Sequence, residues 1–168
     1  MHAATVDEGV CMLEFGERKE LESEIRFLKK FYHADFEEAD HPHLALLAFQ
    51  LQEYFAGSRK SFDVPLVFPG TPFQSKVWKA LLKIPYGATR SYLQQAQALG
   101  DVTAIRAVAG ANGKNRIAIV VPCHRVIGTN GKLTGYGGGM ERKKWLLDFE
   151  KKISIRDRAS GTFQPELF

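Results

Sequence analysis

Apolar residues recur along this chain at two spacings, one typical of helices and the other of strands. Between residues 17 and 32, Leu21, Ile25 and Leu28 lie three or four positions apart among charged neighbours, which indicates an amphipathic helix. A short, uninterrupted apolar run instead favours a buried strand. On these grounds we predict helices over residues 17–32, 43–55, 73–84, 92–99 and 104–111, and strands over residues 10–15 and 117–121.

The segment from residue 58 to residue 72 divides the chain into two parts. It contains three prolines and few helix-forming residues, which favours an ordered, extended linker. The charge also changes sign there, because residues 1–58 carry 5 Lys and Arg against 12 Asp and Glu, whereas residues 59–168 carry 18 against 7. We therefore predict an N-terminal domain with its linker over residues 1–69, a second domain over residues 70–152 and a tail over residues 153–168.

The composition narrows the class of protein. The chain is 45% hydrophobic and 25% charged, which is an ordinary globular balance. It has no apolar run of about 18–20 residues and no N-terminal secretory pattern. Its two cysteines do not make a disulfide framework, and its histidines show no metal-ligand spacing around Cys11, so we expect a cytoplasmic protein with no metal. The basic second part indicates a polyanionic partner, the alternative being a basic surface that meets only solvent.

Two short predicted helices, over residues 92–99 and 104–111, are joined by a tight turn that contains Gly100, which is the sequence form of a helix-turn-helix. In the second helix Ala104 and Ala107 are small and Arg106 is the only long polar residue. A slim helix with a single cation can approach a nucleic-acid groove closely. The alternative is a helix packed in the core through its alanines.

Candidate chemistry follows the apolar run 117–121, where Pro122 is followed by Cys123, His124 and Arg125. Adjacent cationic residues favour the thiolate form of a cysteine, and the thiolate is the nucleophile. The alternative is an inert buried cysteine, which is common in proteins.

The wider context of Cys123 is more specific. The run from Pro122 to Gly128 (Pro-Cys-His-Arg-Val-Ile-Gly) resembles the active-site signature of the O6-alkylguanine-DNA alkyltransferases, also called methylated-DNA–protein-cysteine methyltransferases. The resemblance covers residues 70–150 strongly and the N-terminal third loosely. Its other motifs are at residues 70–74, 84–87, 91–92, 106–108, 135–139 and 145–147, and at Glu150.

This resemblance implies an α+β protein. A small ribonuclease-H-like α/β domain would precede a helical domain of the winged-helix, helix-turn-helix type. The implied activity is DNA repair, in which the alkyl group of O6-alkylguanine in double-stranded DNA moves once and for good to the protein's own cysteine. O4-alkylthymine is a second substrate that the sequence leaves open. We expect a monomer that needs no cofactor.

The resemblance also implies roles for individual residues. Cys123 would accept the alkyl group, His124 would deprotonate it through a water molecule, and Glu150 would orient the imidazole. Asn115 would tie the DNA-reading helix to the active site. Tyr92 would bind DNA by rotating the phosphate of the target nucleotide, and it would donate a proton to the departing guanine.

The remaining implied roles concern DNA and the base pocket. Arg106 would fill the space that the extruded base vacates, on a helix that approaches DNA through Ala104 and Ala107. The pocket would be formed by Val126, Tyr136, Gly137 and Gly138.

The last five residues form a separate motif. Gln164, Leu167 and Phe168 resemble the short segment by which bacterial proteins bind the replication sliding clamp. The alternative is that they fold back on the protein itself.

Two other functions compete with DNA repair. One is an inert lesion-binding protein of the alkyltransferase-like class, which the presence of Cys123 disfavours because those proteins replace the acceptor cysteine. The other is a Cys–His hydrolase of acyl substrates, which would turn over many times.

Overall fold

A two-stranded antiparallel sheet and two helices form the N-terminal part of the computed structural model, which describes residues 1–160. The elements are β1 (His2–Val6), β2 (Gly9–Glu14), α1 (Leu21–Tyr32) and α2 (Pro42–Ala56). Strand β2 matches the prediction for residues 10–15, and every residue in it is buried. Strand β1 was not predicted, and α1 begins four residues later than expected because two turns precede it, in which Arg18 N donates to Phe15 O and Leu21 N donates to Arg18 O.

The C-terminal part is mainly helical. Its elements are α3 (Pro72–Leu81), β3 (Arg90–Ser91), α4 (Tyr92–Ala98), α5 (Ile105–Gly113), β4 (Val126–Ile127) and α6 (Met140–Ala159). Thr71 and Ser91 begin α3 and α4 with capping boxes, each accepting a backbone hydrogen bond from the glutamine three residues later. Strands β3 and β4 pair in parallel, so that Arg90 lies opposite Val126. The predicted mixture of helices and small sheets is confirmed.

The prediction of a strand over residues 117–121 was wrong. These residues form a turn in which Val121 N donates to Ile117 O, and Ile119 has a left-handed backbone with φ of 70°. All five side chains are buried. The apolar run therefore predicts the burial of these residues correctly but not their backbone conformation. We call residues 117–125 the cysteine turn, because they end in a single 3-10 turn formed by Cys123–Arg125.

Strand β2 holds the two parts of the chain together. On one side, Val10 N donates to Pro65 O, and Val67 N donates to Val10 O. Further along the strand, Leu13 N donates to Arg116 O and Ala118 N donates to Leu13 O. The N-terminal sheet thus provides backbone partners both for the linker and for the cysteine turn.

Helix α6 is the longest element and was not predicted. Its buried side includes Lys143, Glu150 and Asp157, so an apolar periodicity does not mark it. Within residues 1–160, no helix combines the length and apolar character needed to cross a membrane. The segment with the predicted clamp motif, which includes Gln164, Leu167 and Phe168, lies outside the described residues, and that motif stays a prediction.

Candidate functional site

Asn115 fixes the position of Cys123. The Asn115 amide nitrogen donates to Cys123 Sγ at 3.1 Å and to Val121 O at 2.8 Å, while its Oδ1 accepts from Ile117 N at 3.1 Å. One buried side chain therefore spans the cysteine turn from its first residue to its sulfur. Asn115 lies only two residues after the end of α5, so the turn and that helix are held as one unit.

His124 and Glu150 form a fully buried pair beside Cys123. His124 Nε2 lies 2.9 Å from Glu150 Oε1, and neither side chain is accessible to solvent. Glu150 also accepts two hydrogen bonds from Arg125, at 2.9 Å each, one from the Tyr54 hydroxyl at 2.8 Å and one from Gly87 N at 3.1 Å. A carboxylate surrounded by so many donors is held ionised and in one orientation.

The charges of the site follow from these contacts. Burial alone would raise the pKa of Glu150, but the hydrogen bonds and charges of His124 and Arg125 outweigh it and hold that pKa at about 2. Since the carboxylate can only accept, His124 Nε2 carries a proton. Burial lowers the pKa of His124, although Glu150 opposes that effect. His124 is therefore neutral at neutral pH, and its Nδ1 finds no hydrogen-bond partner within residues 1–160.

The cysteine is not the preformed thiolate that its neighbours in sequence suggested. Burial raises the pKa of Cys123, and the hydrogen bond from Asn115 offsets this only in part. Arg125 points away, because its guanidinium binds Glu150 and donates to Ile84 O at 2.6 Å. The Cys123 thiol must therefore lose its proton before its sulfur can act as a nucleophile, or as it does so.

Beside the sulfur lies a cavity of about 10 Å³, the room that one water molecule needs. The predicted pocket residues Tyr136, Gly137 and Gly138 line it, in the glycine-rich loop (residues 128–139). Glu14 and Arg18, from the N-terminal part, also line it.

Arg18 was not predicted from the sequence. It pairs with Glu14 and donates to Asn115 O at 3.3 Å and to Gly113 O at 3.1 Å. A Cβ at Gly137 would come within 2.9 Å of its guanidinium carbon. Arg18 therefore braces the cysteine turn from the N-terminal side, although in the sequence it belongs to a charged run that is typical of a solvent-exposed surface.

Lys143 was also not predicted from the sequence, because it too belongs to a charged run. It is fully buried in α6, and its Nζ donates to Val126 O at 2.6 Å and to Thr134 O at 2.7 Å. Burial lowers its pKa to about 8. Lys143 thereby ties the predicted pocket residue Val126 to the glycine-rich loop.

Gly138 leaves no space for a side chain. A Cβ there would lie 2.6 Å from Cε2 of Phe15 and 2.7 Å from Cε1 of Tyr136, which belong to rings that cannot shift freely. We expect Gly138→Ala to lower the free energy of unfolding by about 1–3 kcal/mol in urea denaturation. Gly110→Ala in α5 is the control, since its Cβ would meet nothing within 4 Å. Equal loss in both variants would contradict this packing.

The predicted DNA-reading residues lie on α4 and α5. Tyr92 is the first residue of α4 and is half-buried, and burial raises its pKa. On α5, Arg106 and Ala107 are exposed, whereas Ala104, just before the helix, is half-buried. The opposite side of α5 is fixed to the core, because Trp78 Nε1 donates to Ala111 O at 2.8 Å.

The hydrogen-bonded groups of the site thus come from several elements. The structure joins Cys123 to Asn115 and joins the next residue of the turn, His124, to Glu150. Arg106 lies apart on the surface. Within residues 1–160, no three His, Cys, Asp or Glu side chains are grouped as a metal ion would require.

Two family models match this chain. The model described as the DNA binding domain of 6-O-methylguanine DNA methyltransferase matches residues 72–152, and the ribonuclease-like domain of the same family matches residues 3–68.

Curated relatives carry a consistent name. A methylated-DNA–protein-cysteine methyltransferase of Mycobacterium tuberculosis is 60% identical over 108 residues, which are 64% of this chain and 66% of the relative, just under two thirds of its length. A constitutive methylated-DNA–protein-cysteine methyltransferase of Bacillus subtilis is 54% identical over 73% of this chain and 74% of its own.

Solved structures agree with the sequence comparisons. The M. tuberculosis protein OGT, in complex with DNA, has a TM-score of 0.75 and 45% identity and covers 90% of this chain and 86% of its own. The O6-methylguanine-DNA methyltransferase of the archaeon Pyrococcus kodakaraensis has a TM-score of 0.57 and 28% identity over 89% of this chain and 96% of its own. These solved structures therefore cover most of both domains that the family models match.

Proposed function

This chain belongs to the 6-O-methylguanine DNA methyltransferase family, and we propose that it repairs O6-alkylguanine in double-stranded DNA by taking the alkyl group onto Cys123. The observation that carries the proposal is the Cys123 thiol held by Asn115 next to the buried His124–Glu150 pair. Each molecule would act once, because the thioether that forms is stable.

The transfer is a single displacement. Cys123 Sγ forms a bond to the alkyl carbon, the bond from that carbon to guanine O6 breaks, and its electron pair remains on the guanine. The thiol proton passes to His124 Nδ1 through a water molecule, and the Tyr92 hydroxyl donates a proton to the guanine. Support for this scheme comes from the neutral state of His124 and the raised pKa of Cys123, which together require the proton to leave as the bond forms.

Glu150 keeps His124 ready to act. Its fixed carboxylate holds the proton on Nε2 and leaves Nδ1 as the basic nitrogen. It also stabilises the imidazolium that forms when the proton arrives, which is the nucleophile, base and orienter arrangement of catalytic triads.

The proposed DNA-binding unit is the pair of helices α4 and α5, acting as the helix-turn-helix of a winged-helix domain. The target oxygen lies inside the duplex, so the base must leave the stack. Arg106 would occupy the vacated space from the minor groove. The small residues Ala104 and Ala107 would let α5 come close to the DNA backbone. Support comes from the exposure of Arg106 and the excess of basic residues after residue 58.

The extruded base would enter between the cysteine turn and the glycine-rich loop. Tyr136 would stack on it, the backbones of Val126 and Gly137 would read its edges, and Gly138 would keep the loop close. A cavity of about 10 Å³ cannot hold a purine, so the space beside Cys123 Sγ would have to widen when DNA binds. O4-alkylthymine would have to use the same opening.

The test is to incubate the protein with duplex DNA that contains radiolabelled O6-methylguanine. We expect one label per molecule at most, on the peptide that contains Cys123. Cys11 is an internal control, because it is a second free cysteine that is fully buried, and it should carry none. Repeated turnover, as a hydrolase would give, or binding without transfer, as an inert lesion-binding protein would give, would contradict the proposal.

A further inference from the structure

Tyr54 reaches the reactive centre from the N-terminal part of the chain. It lies in α2, its side chain is fully buried, and its hydroxyl donates to Glu150 Oε1 at 2.8 Å, the same oxygen that accepts from His124. We infer that Tyr54 is a positioning residue for alkyl transfer, whose hydroxyl holds Glu150 in the orientation that His124 requires. The inference rests on the proposed function.

The other donors to Glu150 do not fix Oε1 in the same way. Arg125 binds the carboxylate from one edge through Nε and Nη2, and Gly87 N reaches only Oε2. These contacts set the plane of the carboxylate but leave the lone pairs of Oε1 shared between Arg125 and His124. The Tyr54 hydroxyl adds a third donor to Oε1 and so defines the direction from which His124 Nε2 binds.

The ring of Tyr54 is itself immobilised. Aromatic rings of Phe62, Tyr86 and Phe149 surround it, with centroids at 5.6, 5.9 and 5.8 Å. Burial raises the pKa of Tyr54 far above its ordinary value, with the charge of Glu150 adding to the effect, so the hydroxyl remains a donor at every working pH. A phenylalanine would keep the ring in the same packing and remove only the donor.

Loss of that donor should change the basicity of His124. Beyond its own turn, the charged or ionisable groups that face His124 are Glu150 and Lys143 from α6 and Tyr136 from the glycine-rich loop. Within the turn it has Arg125 and Cys123. Without the Tyr54 hydroxyl, the negative charge of Oε1 is shared with fewer donors and acts more strongly on His124. This favours the imidazolium, which cannot accept the thiol proton. The acid limb of the pH profile, where the transfer rate falls as His124 becomes protonated, therefore moves to higher pH.

The experiment measures the single-turnover rate of methyl transfer from duplex DNA across the pH range in which the protein stays folded. For Tyr54→Phe we expect an acid limb at higher pH and a transfer rate about 10-fold lower. That is the low end of the effect seen in metal sites when a residue that orients a metal ligand is replaced. Tyr86→Phe is the matched control. Its hydroxyl is also buried, but within residues 1–160 it has no hydrogen-bond partner, so the rate and the limb should remain as in wild type.

A double-mutant cycle separates positioning from packing. Because Tyr54 acts through Glu150, Tyr54→Phe should have no further effect on the rate in a Glu150→Gln background. Replacing the Tyr54 side chain with 3-fluorotyrosine keeps the fold and strengthens the donor, and it should move the acid limb to lower pH. This second variant decides the question if Tyr54→Phe folds poorly.

The outcomes are distinguishable. If wild-type protein transfers the methyl group but Tyr54→Phe and 3-fluorotyrosine leave the rate and its acid limb unchanged, the inference is wrong and the proposed function stands. A slower rate with an unmoved acid limb, or one that persists in full in the Glu150→Gln background, would also overturn it. Absence of transfer by wild-type protein would instead overturn the proposed function.

Discussion

Replacing Glu150 with glutamine should slow methyl transfer by about 100- to 10,000-fold, the range that general acid–base catalysis supplies. The amide nitrogen of glutamine would face donors from His124, Arg125 and Tyr54, so at least one of these bonds must break. His124 would no longer be held with its proton on Nε2, and the imidazolium formed during transfer would lose its counter-charge. Single-turnover transfer from methylated duplex DNA measures the effect.

The same substitution should destabilise the fold by about 3–5 kcal/mol, because it leaves the buried Arg125 without its charged partner. With a folded-state pKa of about 2 against an ordinary value of 4.5, the Glu150 carboxylate stabilises the protein above about pH 4.5. That contribution is lost as the pH falls towards 2, so urea unfolding of the two proteins should converge in acid.

Asp148→Asn is the control for Glu150→Gln. It removes a carboxylate from the same helix, but one that is 62% exposed and pairs with Lys144 on the surface. We expect a change of less than about 1 kcal/mol and a normal transfer rate. A Glu150→Gln protein that transferred at the wild-type rate would contradict the assigned role of the buried carboxylate.

Arg106→Ala should separate extrusion of the base from the chemistry. On duplex DNA we expect transfer to fall about 10- to 100-fold at limiting DNA, because the space left by the base is no longer filled and restacking competes. On a free base such as O6-benzylguanine, which needs no extrusion, the rate should remain close to that of wild type. Parallel single-turnover assays on the two substrates make the comparison.

The control for Arg106→Ala is Arg26→Ala. It removes the same charge from an exposed position on α1, far along the chain from the predicted DNA-binding helices. It should affect the two substrates alike and only slightly. Equal losses on duplex and free base in Arg106→Ala would show that the arginine does not act on the duplex.

The elements with a clear apolar periodicity or a capping signal could be predicted from the sequence. Helices α2 to α5 were predicted within a few residues of their observed ends. The family was recognised from the residues around Cys123 together with other short motifs between residues 70 and 150. These signals are local, so a single segment of sequence contains them.

Apart from Asn115, His124 and Glu150, to which the family resemblance assigned roles, the buried charged and polar groups could not be predicted. Lys143, Glu150 and Asp157 face the core from α6, which removed the amphipathic pattern of that helix. Arg18 and Tyr54 act on residues about 97 positions away, at Asn115 and Glu150. Their surroundings arise only when distant segments pack together, and no local pattern encodes them.

The backbone hydrogen bonds from Leu13 to Arg116 and Ala118 bear on when the protein becomes competent during synthesis. The turn that holds the Cys123 sulfur is completed by a strand made more than a hundred residues earlier, and the carboxylate that binds His124 is made later still. A nascent chain that ends at Cys123 therefore has the sulfur but neither His124 nor the Glu150 carboxylate. The proposed repair activity becomes available only after synthesis has reached α6.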